Sequence, residues 1–600
     1  MKTIYNVKTL CVVALLGTAA TVSAQEDKSK KQDLEREMTL EREYDPTVQD
    51  ASKVNTLPVI KEPTVKKMLI DYAGFTVPAD PEKEIGLLPS GNIMTDIMYN
   101  KRRGYFNFGG GTYLNLNGDL GYHILSTDKD QLNIWFSHRS TNGKVKYLQV
   151  DEKVKAKLND NMGGLNFKHH FDKLSLKMGV KYGYSAFNYY RLPVNPSYPT
   201  ADFAPATFPD VDRDTNQAAQ TIKANVGVES KEDTAVGYLL DLSYTNFSYK
   251  YGVGKEEDGP TEGTFNADFG LSAAFGGNQR VGLDGNFQYF NYSIPQSLEP
   301  DPEDGTSYMD YFDSFAAATL SPYYKVEGDN WHVKLGVNAM FFSGEHKEFM
   351  ASPNISANVE VADKTVLYLD AKGKLESNSM YDLYQVNRYT SPVTRITPSR
   401  NWLDGIVGIK SGVAPGFWFD VFGGYKITDN NHFYLPMFNN VENEFGNFCL
   451  PLNEINTKQL FIGANLKYSY QQLFEISLKG VYNNWKAELS DEWYSRAGEE
   501  VPAYGMPEME ITAGVTVRPI KNLSASLDYY LATGRETAIF DTQKIKMDNI
   551  NELNLTGAYN VNDTFGLYLK LNNVLFQKYE LYYGYPLQKF SAMIGVNINF

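Results

Sequence analysis

The sequence predicts an all-β protein, a transmembrane antiparallel β-barrel of about 22 strands with short periplasmic turns and long extracellular loops. Apolar and polar residues alternate with period two in many short runs after residue 100, as expected for strands with one apolar and one polar face. Aromatic residues are abundant, with 42 Tyr and 34 Phe. Short polar turns also alternate with long irregular loops, which is typical of outer-membrane barrels.

The first 24 residues have the features of a secretory signal peptide. Lys2 and Lys8 are basic, and the apolar run from Leu10 to Val22 is too short to span a membrane as a helix. Residues 22–24 (Val-Ser-Ala) match a small-residue cleavage site, so the mature chain is expected to begin at Gln25.

Residues 25–100 are expected to form a periplasmic extension without a core of its own. The stretch from Glu26 to Glu43 is dense in charge, and six prolines punctuate the residues that follow. The simpler interpretation is a tether. A second interpretation is that a short strand over residues 64–70 pairs with the edge of a partner's sheet.

The barrel itself is expected to cover residues 101–600. Ten polar or Gly/Pro-containing turns, roughly 35 to 60 residues apart, separate alternating runs. They lie at residues 127–130, 172–173, 231–233, 276–278, 327–330, 362–364, 414–416, 471–472, 519–522 and 560–563. Longer loops are expected at residues 192–214, 254–263, 296–305, 378–397, 430–451 and 488–505.

Ten turns imply about 22 strands if the chain enters and leaves the barrel on the periplasmic side. The first strand pair, around residues 104–125, leaves two alternatives open. Gly109 to Gly111 fits either a tight outer hairpin or a kink within one long strand.

The strand faces predict which residues meet lipid and which meet the lumen. In the last strand, one face is expected to meet lipid; it comprises Phe590, Ala592, Ile594, Val596, Ile598 and Phe600. Leu567 and Leu569 alternate with Lys570, and a lysine is costly in lipid, so Lys570 is expected to point to a wet lumen. Trp331 and Leu335 are likewise expected outside, with Lys334 inside. An inner wall with both signs of charge suits a water-filled or plugged lumen better than an apolar cavity.

The C-terminal motif resembles that of the TonB-dependent receptor superfamily. Residues 571–579 (LNNVLFQKY), the step Gly584-Tyr585-Pro586 and a final alternating strand ending in Phe600 are similar to that family's ending. A weaker similarity covers residues 515–523 (VTVRPIKNL). The resemblance implies a 22-stranded outer-membrane barrel that moves or admits solutes.

Two departures from the family pattern are visible. Leu587-Gln588-Lys589 stands where the family usually has Gly-Arg before the last strand. Residues 25–100 are also fewer than the family's plug domain needs, and they show no plug-like succession of strands and helices. We therefore expect a relative that lacks the plug, which argues against carrying over TonB-energised uptake.

No catalytic, metal or cofactor site is predicted, and the chain is not expected to be an enzyme. His169-His170 and Ser137-His138 are neighbours within strands, and strand neighbours point to opposite faces. Cys449, the single cysteine after cleavage, makes neither a disulfide nor a zinc site alone. The acidic loops at residues 210–214 and 299–305 lack the ligand spacing of a calcium loop. The formal charge of -15 disfavours nucleic-acid binding.

The leading hypothesis is passage of solutes across the cell outer membrane through a receptor-like barrel. The alternative is a structural or assembly partner that docks other envelope proteins. Expected partners are outer-membrane lipid, the barrel assembly machinery for insertion, and an envelope protein bound through residues 25–100. The two hypotheses differ in the lumen: a transporter needs an open or gated path, whereas a scaffold tolerates a lumen filled by inward-folded loops.

Overall fold

The computed structural model describes residues 102–192, 215–231, 236–252, 258–295, 312–344, 347–412, 414–436, 449–491, 496–539 and 543–600. The predicted signal peptide, the extension over residues 25–100 and the expected lack of a plug lie outside the described residues. The acidic loops at residues 210–214 and 299–305 also lie outside them. These expectations therefore stay predictions.

Twenty-two strands form the wall of one closed antiparallel barrel. They are β1 (Gly104–Gly111), β2 (Leu116–Ser126), β3 (Asp130–Lys146), β4 (Lys153–His170), β5 (Leu174–Tyr189), β6 (Thr215–Ser230), β7 (Val236–Tyr249), β8 (Thr261–Phe275), β9 (Gln279–Ser293), β10 (Phe315–Glu327), β11 (Trp331–Ser343), β12 (Lys347–Ala362), β13 (Thr365–Glu376), β14 (Ser399–Ser411), β15 (Phe417–Pro436), β16 (Cys449–Tyr470), β17 (Phe474–Leu489), β19 (Met509–Ile520), β20 (Leu523–Thr533), β23 (Ile550–Asn560), β24 (Phe565–Asn572) and β25 (Ser591–Asn599). The outer loops add β18 (Glu500–Val501), the hairpin β21 (Glu536–Ile539) and β22 (Gln543–Lys546), and one helix, α1 (Met380–Val386).

The first and last strands close the ring. β1 pairs with β2 on one side and with β25 on the other, with Tyr105 opposite Asn599 and Gly109 opposite Gly595. The sheet therefore has no open edge, as a strand-built membrane protein requires. The strand number confirms the prediction from the turns.

Each of the ten predicted turns falls between two consecutive strands, all at the same end of the barrel. The open question about the first strand pair is also answered. Gly109 to Gly111 end β1, and residues 112–115 make a tight outer hairpin. Tyr113 and Leu114 adopt left-handed backbone angles there, with φ of 57° and 52°.

The loop predicted for residues 430–451 is wrong at both ends. β15 continues to Pro436 and β16 begins at Cys449. The register between these strands shifts on both sides of Asn431, and Asn430 has a left-handed φ of 53°. Such bulges break the period-two pattern without ending the strand, which is why the alternation seemed to stop. The outer connections over residues 534–549 and 573–590, which the strand count implies, were not given bounds from the sequence.

The two faces of the wall match the sequence pattern. Leu335, Leu569 and Ile594 expose 50%, 44% and 67% of their surface on the outside, as lipid-facing side chains do. On the inside, Asn338 is buried and donates to the carbonyl of Gly373 at 2.8 Å. No helix within the described ranges is long and apolar enough to cross a membrane.

One matched pair of substitutions on β20 tests the assignment of faces. Leu527 is exposed and lies between Val515 and Leu555, whereas its neighbour Ser526 lies between Thr516 and Thr556. We expect Leu527→Arg to lower the free energy of unfolding in lipid vesicles by on the order of 2 kcal/mol, because it places charge in hydrocarbon. Ser526→Arg should change it little, because that side chain enters the lumen. Equal losses for both variants would contradict the assignment.

Candidate functional site: the lumen wall and the loops across the extracellular mouth

The lumen wall carries charges of both signs, as expected from the sequence. Ion pairs join neighbouring strands there: Arg139 lies 3.0 Å from Asp119, and Lys334 lies 3.7 Å from Asp284. These side chains keep between 24% and 49% of their surface accessible. The wall is therefore wettable and charged, with no large apolar inner surface at these positions.

The candidate catalytic neighbours are separated, as their strand positions predict. Ser137 donates to Asp119 inside the barrel at 2.8 Å, whereas His138 contacts Asn161 on the outside at 2.8 Å. His169 contacts Asp130 at 2.6 Å, and the next residue, His170, contacts Ser175 on the opposite face at 2.8 Å. In the part of the chain that the structure describes, no three His, Cys, Asp or Glu residues are placed to hold a metal ion.

Among the residues that the structure describes, the longest outer loop lies between β13 and β14, at residues 377–398, and we call it the loop bridge. It contains α1, whose start is fixed by reciprocal hydrogen bonds between Ser379 and Asp382 at 3.2 Å. The backbone N–H of Met380 donates to the buried carboxylate of Glu262 on β8 at 2.7 Å. The bridge therefore leaves its own strands and is attached to the wall at β8.

A charged contact joins the loop bridge to β4. One guanidinium nitrogen of Arg388 lies 3.0 Å and 2.9 Å from the two carboxylate oxygens of Asp160. Ser185 on β5 also donates to the Asp160 carboxylate. A hydrogen bond between charged groups contributes roughly 1.5 to 3 kcal/mol. This pair therefore adds substantially to holding the bridge against β4 and β5.

Three tyrosines from three different loops meet at the middle of the mouth. Tyr389 of the loop bridge stacks on Tyr585, which lies between β24 and β25, with ring centroids 4.2 Å apart. Tyr190, which follows β5, meets Tyr585 edge-on at 5.0 Å. Tyr585 has no exposed surface. Loops from widely separated strands thus pack into one aromatic core above the lumen.

The C-terminal loop, residues 573–590, is held at its first residues by the motif over residues 571–579 that resembles the receptor family. Asn573 has a left-handed φ of 50°. Its side chain accepts from the N–H of Gln577 at 3.0 Å and donates to the carbonyl of Gln577 at 2.8 Å. Asn554 on β23 accepts from the Asn573 N–H at 2.8 Å. At the end of β24, where the ladder of backbone hydrogen bonds stops, the side chains of Asn573 and Asn554 supply hydrogen bonds to the backbone instead.

The same loop is fixed from the side by Arg535, a residue with no exposed surface. Its guanidinium donates to the backbone carbonyls of Glu580 at 2.9 Å and Gly505 at 3.2 Å. Burial lowers the pKa of Arg535 to about 10, so the group remains charged at neutral pH. One buried cation thereby joins three outer loops through carbonyl groups.

Glu580 is a buried titratable group of the C-terminal loop. Burial raises the pKa of its carboxyl to about 7, even though the backbone N–H of Gly584 and the side chain of Gln149 both donate to it at 3.0 Å. The protonated carboxyl is thus favoured by the folded loop up to about neutral pH.

The residues that build this mouth were not identified from the sequence. Arg388 and Tyr389 lie inside a loop that was predicted only as irregular, and Arg535 lies in an outer connection whose bounds were not predicted from the sequence. The one available signal was the tyrosine-rich stretch at residues 579–585. Its inward packing depends on partners about 200 residues away along the chain, such as Tyr389.

Comparison with known proteins gives similarity at the level of fold. No protein-family model matches the chain, and no curated protein matches it in sequence. Solved structures do match. The FrpB iron transporter from Neisseria meningitidis is 11% identical with a TM-score of 0.62, over 84% of this chain and 83% of that one.

Two receptors from Pseudomonas aeruginosa are similar to the same extent. The ferric enterobactin receptor PfeA is 10% identical with a TM-score of 0.61, over 83% of this chain and 80% of that one. The pyoverdine outer membrane receptor FpvA is 10% identical with a TM-score of 0.60, over 84% and 79%.

The chain therefore folds as a closed transmembrane β-barrel similar to those of outer-membrane receptors. Its fold is that of the barrel of TonB-dependent receptors, to which FpvA, PfeA and FrpB belong, and this confirms the resemblance seen in the C-terminal motif.

The pKa of Glu580 predicts how the mouth responds to pH. The ordinary value is 4.5 and the folded value is about 7, so the folded loop binds protons more tightly than the unfolded one. The contribution of Glu580 to the free energy of unfolding of the loop is fully present below about pH 4.5 and is lost as pH rises through about 7. The total loss is on the order of 3 kcal/mol. Amide hydrogen exchange in residues 573–590 should therefore quicken from about pH 5 to about pH 8, after correction for the intrinsic rate.

Glu580→Gln should remove most of this pH dependence, because the amide does not titrate. Glu499→Gln is the matched control, since Glu499 is an exposed carboxylate of a neighbouring loop paired with Arg496 at 2.8 Å. Identical pH profiles for the wild type and Glu580→Gln would rule out Glu580 as the titrating group.

Proposed function

We propose that the barrel passes hydrophilic solutes across the outer membrane and that the loop bridge gates this passage. The observation that carries the proposal is the combination of a charged, wettable wall with an ordered bridge across the extracellular mouth. A lumen lined by both signs of charge costs little to fill with water and favours polar solutes. The bridge is the element that has to move before a large solute enters.

The attachment of the bridge suits a gate that opens under load. The Arg388–Asp160 pair retains 27% and 29% side-chain exposure, so water replaces each partner's contacts when the bridge moves. The stacking contact of Tyr389 with Tyr585 is lost when the bridge moves, and water then contacts the two rings. These two contacts contribute a few kcal/mol to the closed state, in addition to the buried packing of Tyr384 and Val393 against the wall. A solute or partner that opens the mouth has to bind the open state more tightly by the sum of these contributions.

The fold comparison supports transport as the general class of function. FrpB is an iron transporter, and PfeA and FpvA are receptors for ferric enterobactin and pyoverdine. The solute of this chain is a separate question, because what those receptors bind is a property of those proteins. We accordingly propose a polar solute of unspecified chemistry.

A second function is favoured by one specific observation. The loop bridge packs through a continuous aromatic core that includes Phe187, Phe247 and Tyr384, all buried. A mouth packed in this way also suits a structural barrel that docks other envelope proteins through its outer loops and residues 25–100. The two functions differ in whether the mouth opens.

Single-channel conductance in a planar bilayer separates the two functions. The proteins to compare are the wild type, Arg388→Gln, and a control, Arg395→Gln. Arg395 lies in the same loop but is 43% exposed and 3.7 Å from Glu454. We expect Arg388→Gln to open more often or to higher conductance than the wild type, because a tie of roughly 1.5 to 3 kcal/mol is removed. Arg395→Gln should behave like the wild type.

A truncated protein that lacks residues 25–100 completes the comparison. Steady conductance in the full-length protein supports diffusion through the lumen. A barrel that opens only after truncation indicates that the extension obstructs the lumen and supports regulated uptake. A barrel that stays closed in all four proteins would overturn the transport proposal and favour the docking function.

A further inference from the structure

The inner wall directly beneath the loop bridge carries a belt of amide and hydroxyl side chains. The bridge leaves β13 after Glu376 and returns to the wall at Ser399, and the belt crosses the strands just below that level. All of its members are buried and none carries a charge. We call this set the polar belt, and it consists of Asn338, Ser352, Asn401, Thr428, Gln459 and Asn483, which belong to β11, β12, β14, β15, β16 and β17.

The belt is continuous because its members meet across neighbouring strands. Asn338 stands opposite Ser352, and Asn401 stands opposite Thr428. Gly373 on β13 lies between these two pairs, and its carbonyl accepts from Asn338 at 2.8 Å. A Cβ at this glycine would lie 2.6 Å from Oγ of Ser352 and 2.5 Å from the backbone oxygen of Asn401. A residue without a side chain therefore lets three strands bring their polar groups together.

Several polar atoms of the belt have no hydrogen-bond partner among the residues that the structure describes. They are both side-chain polar atoms of Asn401, Oγ of Ser352, Oγ1 of Thr428 and Oε1 of Gln459. A buried polar group without a partner destabilises a folded protein, and such groups are normally satisfied by water or by a ligand. Asn401 has no exposed surface at all. The belt thus offers unused donors and acceptors in an enclosed part of the lumen.

The charged side chains that flank the belt are arranged in pairs of opposite sign. These pairs are Lys374 with Glu376 at 2.9 Å, Arg400 with Glu348 at 3.1 Å, and Lys426 opposite Asp404 on the neighbouring strand. Their charges compensate one another locally. The belt therefore has no surplus charge with which to attract an ion of either sign.

An aromatic ring lies at one end of the belt. Trp485 on β17 stands opposite Gln459, which donates to Asn483 on the same strand as the ring at 3.0 Å. The indole N–H of Trp485 donates to the carbonyl of Pro507 at 3.4 Å, and the ring remains partly accessible. A tryptophan held by its polar edge presents a flat apolar face beside the amides.

We propose that the polar belt and Trp485 bind a neutral, hydroxyl-rich solute of the carbohydrate class. Each sugar hydroxyl donates one hydrogen bond and accepts others, which matches a set of amides and hydroxyls with unused donors and acceptors. The apolar face of a sugar ring packs against the indole. An ionic solute would lose its hydration at the belt without gaining a counter-charge. This inference names the class of solute and rests on the proposed function for the route by which the solute reaches the belt.

The test measures binding by the purified full-length protein in detergent. The probes are neutral oligosaccharides on an array that also carries sulfated and phosphorylated ones. The wild type is compared with Arg388→Gln, because Asn401 is fully buried while the bridge is in place. We expect both proteins to bind neutral oligosaccharides in preference to acidic ones, and Arg388→Gln to bind them faster. Calorimetry with the neutral oligosaccharide that binds most tightly then gives its Kd.

A double variant tests the belt itself. Asn401→Leu with Thr428→Val removes polar atoms that lack partners and keeps the side chains close to their original size. We expect the Kd for the oligosaccharide to rise roughly tenfold or more. Thermal stability should stay the same or rise, because apolar groups replace unpaired buried polar ones, whereas a purely structural role predicts a loss of stability. Thr556→Val is the control, since Thr556 is a buried residue that faces the lumen from β23, and it should keep the wild-type Kd.

Tryptophan fluorescence reports where the oligosaccharide binds. We expect binding to change the emission of the wild type and expect Trp485→Phe to lose most of that change. A response that survives in Trp485→Phe would place the oligosaccharide away from the belt and contradict the inference.

Three further outcomes would overturn the inference. Absence of binding to neutral oligosaccharides by both proteins, or a preference for acidic ones, would rule out the solute class. Unchanged Kd in Asn401→Leu with Thr428→Val would rule out the site. A more stable double variant, combined with no oligosaccharide bound by the wild type, would mean that the belt holds ordered water only. Failure of the proposed function gives a different result, a barrel that stays closed in conductance measurements and still binds the oligosaccharide at the belt.

Discussion

The barrel depends on satisfying every backbone hydrogen bond within the sheet, because hydrocarbon offers no alternative donors or acceptors. An unpaired N–H or carbonyl in lipid costs several kcal/mol, so a sheet that spans a membrane has to close on itself. Pairing of β1 with β25 meets this condition. It also fixes the strand number, the alternation of faces and the position of every inward side chain, because a shift of one residue would turn Lys570 and Lys334 into the lipid.

Outside the hydrocarbon, water can hydrogen-bond to the backbone N–H and carbonyl groups, so the loops do not need to pair in a sheet. The outer loops are free to leave the wall, and here they are held by side chains instead. Arg388 and Arg535 join segments that are 228 and 45 residues apart in sequence, and Asn573 attaches the C-terminal loop to β23. Tyr190, Tyr389 and Tyr585 fill the space between the loops. The result is an ordered mouth held by polar contacts together with buried aromatic packing, and the buried Glu580 carboxyl makes its stability depend on pH.

The sequence predicted what local periodicity determines. The ten turns, the outward positions of Leu569 and Ile594, and the inward position of Lys570 all follow from period two and from the cost of charge in lipid. The bulges beside Asn431 were misjudged because an extra residue disrupts that period. The mouth was not predictable in this way. Arg388 and Asp160 are 228 residues apart in the sequence, and a pattern in neighbouring residues cannot predict a contact of that kind. The fold was thus largely predictable, whereas the candidate site was not.

The strands that close the ring are also the shortest of the wall. β1 and β24 have 8 residues each and β25 has 9, whereas β16 has 22. Fewer residue pairs cross this region, with seven between β1 and β25 and six between β23 and β24, than cross the opposite side, where β11 and β12 share 13. The seam and the strands beside it are therefore the mechanically weakest part of the cylinder. Sideways separation of the wall, during insertion or under tension from the bilayer, would begin there. At the extracellular end of the seam, Gln588 of the C-terminal loop contacts Asn115 between β1 and β2 and Thr141 on β3. These contacts oppose separation of β25 from β1.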